Sequence, residues 1–271
     1  MYKELNSLGR SDPNQVIYKA DLQRVGSLIN ESLMALAEYA KFKNWDATKD
    51  IIISQNLLGK KSSQTLKGIL AAIQKRFFTS HDTLPKVDIL ACAVSKNIPR
   101  VVKTQILYPY ICEADPLIKK LLLNLVGKRI EKSSTLLTKL DVLHFLENEQ
   151  QTHPELRKWS DYLKGRWVRG FLAFLRDFGI MEKAPSNKLL KPIIRLESFT
   201  FFLLNLLDKK MNPVEVFNNE VWILYFLKND EIENFLVDAQ GRGWIHYSKA
   251  GDIIELKPKY QLGEWVNECL G

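Results

Sequence analysis

Apolar residues recur at three- and four-residue spacing along almost the whole chain, and prolines and glycines cut that pattern into short lengths. A period near 3.6 with breaks every ten to twenty residues admits little besides a packed array of short amphipathic helices. Asp21 is read as the cap of a helix from about Leu22 to Phe42, with Val25, Leu28, Ile29, Leu33, Leu36 and Ala40 on one face. Asp46 is read as the cap of a second helix over 47–57, stopped by Gly59 in a left-handed C′ position. Ser62 or Ser63 then caps a third, through Phe78, whose apolar face is Leu66, Ile69, Leu70, Ile73 and Phe77.

Further along, Pro85, Pro99, Pro109 and Pro116 each mark a helix start or a forced break, which gives helices near 86–95, 99–112, 115–130 and 138–151. Thr152-His153-Pro154 is a boundary. Residues 155–181 read as helix with Ser160 as cap and Gly179 as stop, and Trp167, Phe171, Phe174, Leu175 and Phe178 line one side. Residues 183–196 form a basic turn with short strands, and 198–209 is an apolar helix. The period changes only near the end. Two short helices, 219–228 and 230–240, precede segments that alternate around Ala250-Gly251-Asp252, a hairpin signal. The expected fold is mainly all-α and globular, with helix-turn-helix elements and a small winged-helix-like C-terminal hairpin. The expected regions are 1–80, 81–154, 155–209 and 210–271, with 1–17 polar and loosely ordered.

Charge is distributed unevenly over these elements. The chain carries +8 overall, yet residues 41–78 hold eight Lys or Arg against two acids and residues 155–195 hold ten against four, while 196–271 is net acidic. Two basic islands on helices are the electrostatic footprint of contact with a phosphate backbone. In the first, the turn Lys60-Lys61-Ser62-Ser63-Gln64-Thr65 opens a helix, with Lys67 one turn further on. Lysines meet phosphate there, helix N-terminal amides and hydroxyls fix register, and Gln64 suits an adenine edge. In the second, Lys164, Arg166, Arg169 and Arg176 share a helix that leads to Lys183 and Lys188. Arginine forks donate two parallel hydrogen bonds to phosphate. Each island also has a plainer reading, a solvated basic helix face. The acidic tail helices, with Asp230, Glu231, Glu233 and Asp238, suit a protein-facing or stabilising role, since phosphate repels them.

Other function classes find little support. Glu255-Leu256-Lys257, with Asp238 or Asp252, echoes the acid–lysine metal site of nucleases, but so short a triplet arises by chance in charged chains. No phosphate-cradling glycine loop and no Gly-x-Ser-x-Gly elbow occurs. His81, His144, His153 and His246 are scattered, and Cys92, Cys112 and Cys269 have no paired spacing, so neither metal ligation nor disulfides are expected. Met1–Arg10 lacks the apolar core of a secretory signal, and the runs Leu121–Val126 and Phe199–Leu207 are far shorter than a membrane span.

The run Trp45–Phe77, around Ser54-Gln55-Asn56-Leu57-Leu58 and Lys60-Lys61-Ser62-Ser63, resembles the N-terminal part of the BrxA proteins of bacteriophage exclusion (BREX) defence systems. Glu147–Glu182, around His153-Pro154-Glu155-Leu156 and Trp159, Arg166-Trp167-Val168-Arg169 and Phe178-Gly179-Ile180, resembles that family's later helical segment. The likeness covers about residues 18–208 and is weaker in the tail. It implies a mainly helical, non-enzymatic protein without cofactors, binding double-stranded DNA through helix-turn-helix elements flanked by positive residues. It also implies work beside a DNA methyltransferase and other BREX proteins. A cytoplasmic monomer is expected; the alternative is an adaptor whose acidic tail docks another defence component.

Overall fold

In chain order the helices are α1 (Ile29–Phe42), α2 (Trp45–Ser54), α3 (Ser63–Phe77), α4 (Val87–Ser95), α5 (Arg100–Ala114) and α6 (Pro116–Leu121). After a π-helical turn, Leu122–Gly127, come α7 (Lys128–Glu131), α8 (Lys139–Glu149), a 3-10 turn at Pro154–Lys158 and α9 (Asp161–Asp177). The rest comprises α10 (Leu196–Asp208), α11 (Pro213–Phe217), α12 (Glu220–Leu224), α13 (Asn229–Gly241), strands β1 (Ile245–Ala250) and β2 (Ile253–Pro258), and α14 (Leu262–Glu268). This computed structural model describes residues 17–22, 26–132, 135–251 and 253–271. The expectation for 1–17 therefore falls, apart from Ile17, outside the described residues, as do Val25 and the hairpin's Asp252. The fold is mainly all-α, as the periodicity predicts, with β1 and β2 paired antiparallel from Ile245↔Pro258 to Ala250↔Ile253. Among the described residues no helix is long and apolar enough to cross a membrane.

Several boundaries depart from the sequence reading, each for a local reason. Leu22 is helical, as expected, but the path to Phe42 is not continuous: Gly26 (φ 59°) and Leu28 (φ 53°) are left-handed, and α1 begins at Ile29. Asn44, not Asp46, caps α2, its side chain accepting from the Ala47 amide at 3.0 Å. That helix ends before Gly59: Asn56 takes the left-handed position (φ 46°) and the Leu57 amide reaches back to the Ile52 carbonyl at 3.1 Å. Gly59 is left-handed too, but in the following turn. Ser62 and Ser160 cap α3 and α9 as expected, by accepting from Thr65 and Leu163.

The core is organised around α5. Val102, Ile106–Cys112 and both its tyrosines are buried, so this helix is enclosed on nearly every side, touching α1, α3, α4 and α10. Pro109 sits inside it and does not break it, against the sequence expectation. Proline removes the amide that would bond the Gln105 carbonyl four residues back. Here the Tyr225 hydroxyl donates to that carbonyl at 2.6 Å, so the acceptor is not orphaned. Tyr108 and Tyr110 likewise donate to the Leu224 and Pro85 carbonyls at 3.0 and 2.8 Å. Helix α10 is as enclosed as α5, with Ser198–Leu207 buried throughout. α14, not anticipated from sequence, packs Trp265 into the core against α4 and α10.

The bond from Tyr225 to Gln105 has a measurable consequence. Tyr225→Phe leaves a buried carbonyl unpaired and lowers unfolding free energy by about 1–3 kcal/mol. Pro109→Ala restores an amide donor, so the same Tyr225→Phe change in that background costs less. Denaturant titration of the four-member cycle reads this coupling.

Candidate nucleic-acid interface

The two basic islands meet different fates. In the first, α2 and α3 close on each other at their outer ends, where Trp45 packs on Phe78 with ring centroids 4.2 Å apart. Lys61, Ser62, Ser63, Gln64 and Lys67 are exposed at the start of α3. Lys60 is not a free cation: its Nζ lies 2.7 Å from Glu31 on α1. Arg76, counted among the island's charges, is buried and donates to the Gly26 and Ser27 carbonyls at 2.7 and 2.9 Å. Burial pulls its pKa down to about 10, which leaves it charged at neutral pH. A groove of about 860 Å³ runs along α3 past Gln64, Gly68 and Lys75. Its cations are matched by Asp21, Glu31 and Asp115, so it is not a positively charged slot.

Arg76 also fixes the segment before α1. Tyr18 donates its amide to Glu155 at 2.8 Å and stacks on His153 at 3.8 Å. Leu22 is buried, and its carbonyl lies so near Gly170 that a Cβ there would sit 3.3 Å away. Ser27 donates to Asp177 at 2.6 Å. This strap therefore joins the end of α3 to the back of α9.

The second island is built on α9. Its inner side is an aromatic ladder: Trp167, Phe171, Phe174 and Phe178 follow one another at centroid distances of 5.6, 6.2 and 4.9 Å. Tyr108 of α5 meets the last two at 5.9 and 5.1 Å. With that side fixed, Tyr162, Arg166, Arg169 and Ala173 are exposed together, spaced as one outward stripe. Arg166 lies over the Tyr162 ring at 5.8 Å. Lys164 belongs to the flank; its side chain is only 16% exposed and 3.9 Å from Asp161. Arg176 is engaged inside, bonding the Ser186 carbonyl at 3.0 Å, so it braces the loop that follows.

That loop carries Lys183 and Lys188, both exposed, the latter 3.5 Å from Glu182. Three short extended segments hold it. Leu136 bridges Lys188 and Met181 bridges Leu189, so the order across them is 135–137, 187–190, 180–182. Backbone bonds Leu137→Asn187, Glu182→Lys188 and Leu190→Ile180, at 2.8–2.9 Å, secure them. The connectivity is thus helix (α6 to α7), strand, α8, α9, strand, loop, strand. α8 abuts α9: the Lys139 ammonium lies near Gly165, and Thr138 caps α8 in a reciprocal pair with Asp141.

The sequence reading missed Tyr162 and Lys139. The first was legible as the i−4 neighbour of Arg166 on the outward stripe; the second follows only from the packing of α8 on α9. The strands over 183–196 were expected, but not their pairing with 135–137. In the tail, Glu255 contacts Lys257 at 2.6 Å and His246 at 3.4 Å. Among the described residues no three His, Cys, Asp or Glu side chains gather as a metal site would require.

The family model BrxA matches residues 16–205, more than half of the chain, a span that includes both islands and stops before the hairpin. The chain belongs to the BrxA family. That membership makes it a component of a BREX phage-defence system. No curated protein matches the chain. The crystal structure of an uncharacterized protein from Magnetospirillum magneticum is similar in fold, with a TM-score of 0.61 and 16% identity over 79% of this chain and 100% of that one.

One acid beside the strap reports on its burial. Asp115 caps α6 by accepting from the Ile118 amide at 3.3 Å. Burial raises its pKa to about 6, against the pull of that bond and of Lys75 and Arg76. A raised carboxyl binds more protons folded than unfolded between about pH 4 and pH 6, so its contribution to stability falls as pH rises through that window. Asp115→Asn keeps the cap and removes the desolvated charge. The variant should melt higher than wild type at pH 7.5, and the difference should shrink towards pH 4.5 in thermal melts.

Proposed function

We propose that this BrxA protein is a non-catalytic, double-stranded DNA-binding component of its BREX system, with residues 116–190 acting as a winged helix-turn-helix. In this reading α8 and α9 are the two helices, α9 enters the major groove, and the loop bearing Lys183 and Lys188 is the wing. The observation that carries it is the outward stripe of α9, in which Arg166 and Arg169 stand between the Tyr162 ring and the small Ala173 beside a basic loop. The helix–strand–helix–helix–strand–strand connectivity supports the same reading. Thr138 and Lys139 at the start of α8 suit a phosphate. The exposed turn Lys61–Gln64 with Lys67 supplies a second phosphate-contacting surface, and Lys60 strengthens it once it is released from Glu31. Lys164 contributes from the flank of α9. Arg176 acts indirectly, by holding the wing.

The C-terminal helices and hairpin fit a different role. Glu231 and Glu233 already pair with Lys191 and Lys249, and Asp230 and Asp238 remain exposed on α13. That surface suits another BREX protein, such as the DNA methyltransferase, better than it suits phosphate. The protein works as a monomer in the cytoplasm and needs no cofactor; Glu255, engaged by Lys257 and His246, has no catalytic task.

A mobility shift on a random duplex tests the reading. Binding should weaken steeply with salt and leave the DNA intact in Mg²⁺. Arg166→Glu with Arg169→Glu should lower affinity at least about tenfold near 0.1 M salt and flatten the salt slope. Lys60→Glu with Lys61→Glu should weaken it less. Arg176→Ala should lower the melting temperature more than it changes the slope. No shift even at low salt would exclude the reading, and Mg²⁺-dependent cleavage lost in Glu255→Ala would exclude its non-catalytic part.

A further inference from the structure

A helix that only neutralises phosphates needs nothing but positive charge on its outer side. The outward side of α9 is not of that kind. Its tip carries Asp161, whose side chain is fully exposed, and Tyr162, which is 72% exposed. A carboxylate at the leading end of a phosphate-binding helix is repelled by the backbone it approaches. A phenol hydroxyl can donate to a phosphate, but the exposed face of its ring has no use there. Both groups make sense against base edges: a carboxylate accepts from the cytosine amine, and an aromatic or aliphatic surface meets the thymine methyl.

Arg166 completes the pattern. Its guanidinium lies over the Tyr162 ring, 5.8 Å from the centroid, on the turn that follows the tip. Resting a planar fork on a ring restricts its rotamers before any ligand arrives, and the fork matches guanine O6 and N7 with two parallel hydrogen bonds. Ala173, further along the same stripe, is exposed and small, which lets the helix axis approach closely. Lys164, by contrast, is a flanking point charge held near Asp161, in the position of a phosphate contact rather than a reader.

We infer that α9 reads sequence: Arg166, oriented by Tyr162, recognises guanine, and Asp161 favours cytosine, so that the protein selects a short guanine- and cytosine-containing site over bulk duplex. This deepens the DNA-binding reading above and rests on it. Arg166→Lys keeps the charge and loses the fork, so it separates recognition from attraction.

The experiment is selection of the full chain on a random duplex library at about 0.15 M salt, followed by affinity measurements on the enriched duplex and a shuffled one. Wild type should enrich a guanine-containing motif. Arg166→Lys should retain affinity for the shuffled duplex and lose about ten- to a hundredfold on the enriched one. Tyr162→Ala should lose part of that preference, and circular dichroism should show both variants folded. A wild-type protein that binds duplex but enriches no motif overturns the inference and leaves DNA binding standing. A motif that Arg166→Lys reads as well as wild type also overturns it. Failure to bind any duplex overturns both this inference and the function on which it rests.

Discussion

The enclosure of α5 is the constraint on which the other elements depend. A helix buried on nearly all sides cannot leave a backbone acceptor unpaired without losing free energy comparable to a hydrogen bond. Pro109 creates such an acceptor at Gln105, and the Tyr225 hydroxyl satisfies it. That single bond ties the loop after α12 to the centre of the protein. Tyr108, one residue before Pro109, bonds Leu224 and offers its ring to Phe174 and Phe178. The central helix therefore fixes both the C-terminal elements and the inner side of α9.

Once the inner side of α9 is fixed, its outer side is no longer free to choose. Helical geometry turns Tyr162, Arg166, Arg169 and Ala173 outward together because Trp167, Phe171 and Phe174 point in. Tyr18, Ser27 and the buried Arg76 tie the elements around α9 and α3 together from behind. Charge is thereby sorted into two populations. Arg76, Arg176 and Lys60 serve the fold, gripping carbonyls or a carboxylate, while Arg166, Arg169, Lys183, Lys61 and Lys67 face outward.

The sequence carried most of the helices because their apolar period and their caps are local. Ser62, Ser160 and the run Leu66–Phe77 determine α3 and α9 without help from distant residues. It failed where a distant partner decides. Pro109 reads as a break until Tyr225 is placed beside it, and the periodic run into α1 reads as unbroken until Arg76 takes the Gly26 and Ser27 carbonyls beside the left-handed Gly26 and Leu28. The three extended segments near 136, 181 and 189 are too short for a two-residue alternation to register, and their pairing is set by α8 and α9. In the candidate interface, charge counting found both islands but could not separate Arg176 from Arg166, since burial decides between brace and contact.

Hydrogen–deuterium exchange of the full chain, with and without a short duplex, tests the central claim most directly. The account predicts slowed exchange in residues 161–170 and 183–189 on adding DNA, with the hairpin 245–258 unchanged. Protection confined to 245–258, with α9 and its following loop unaffected, would contradict it.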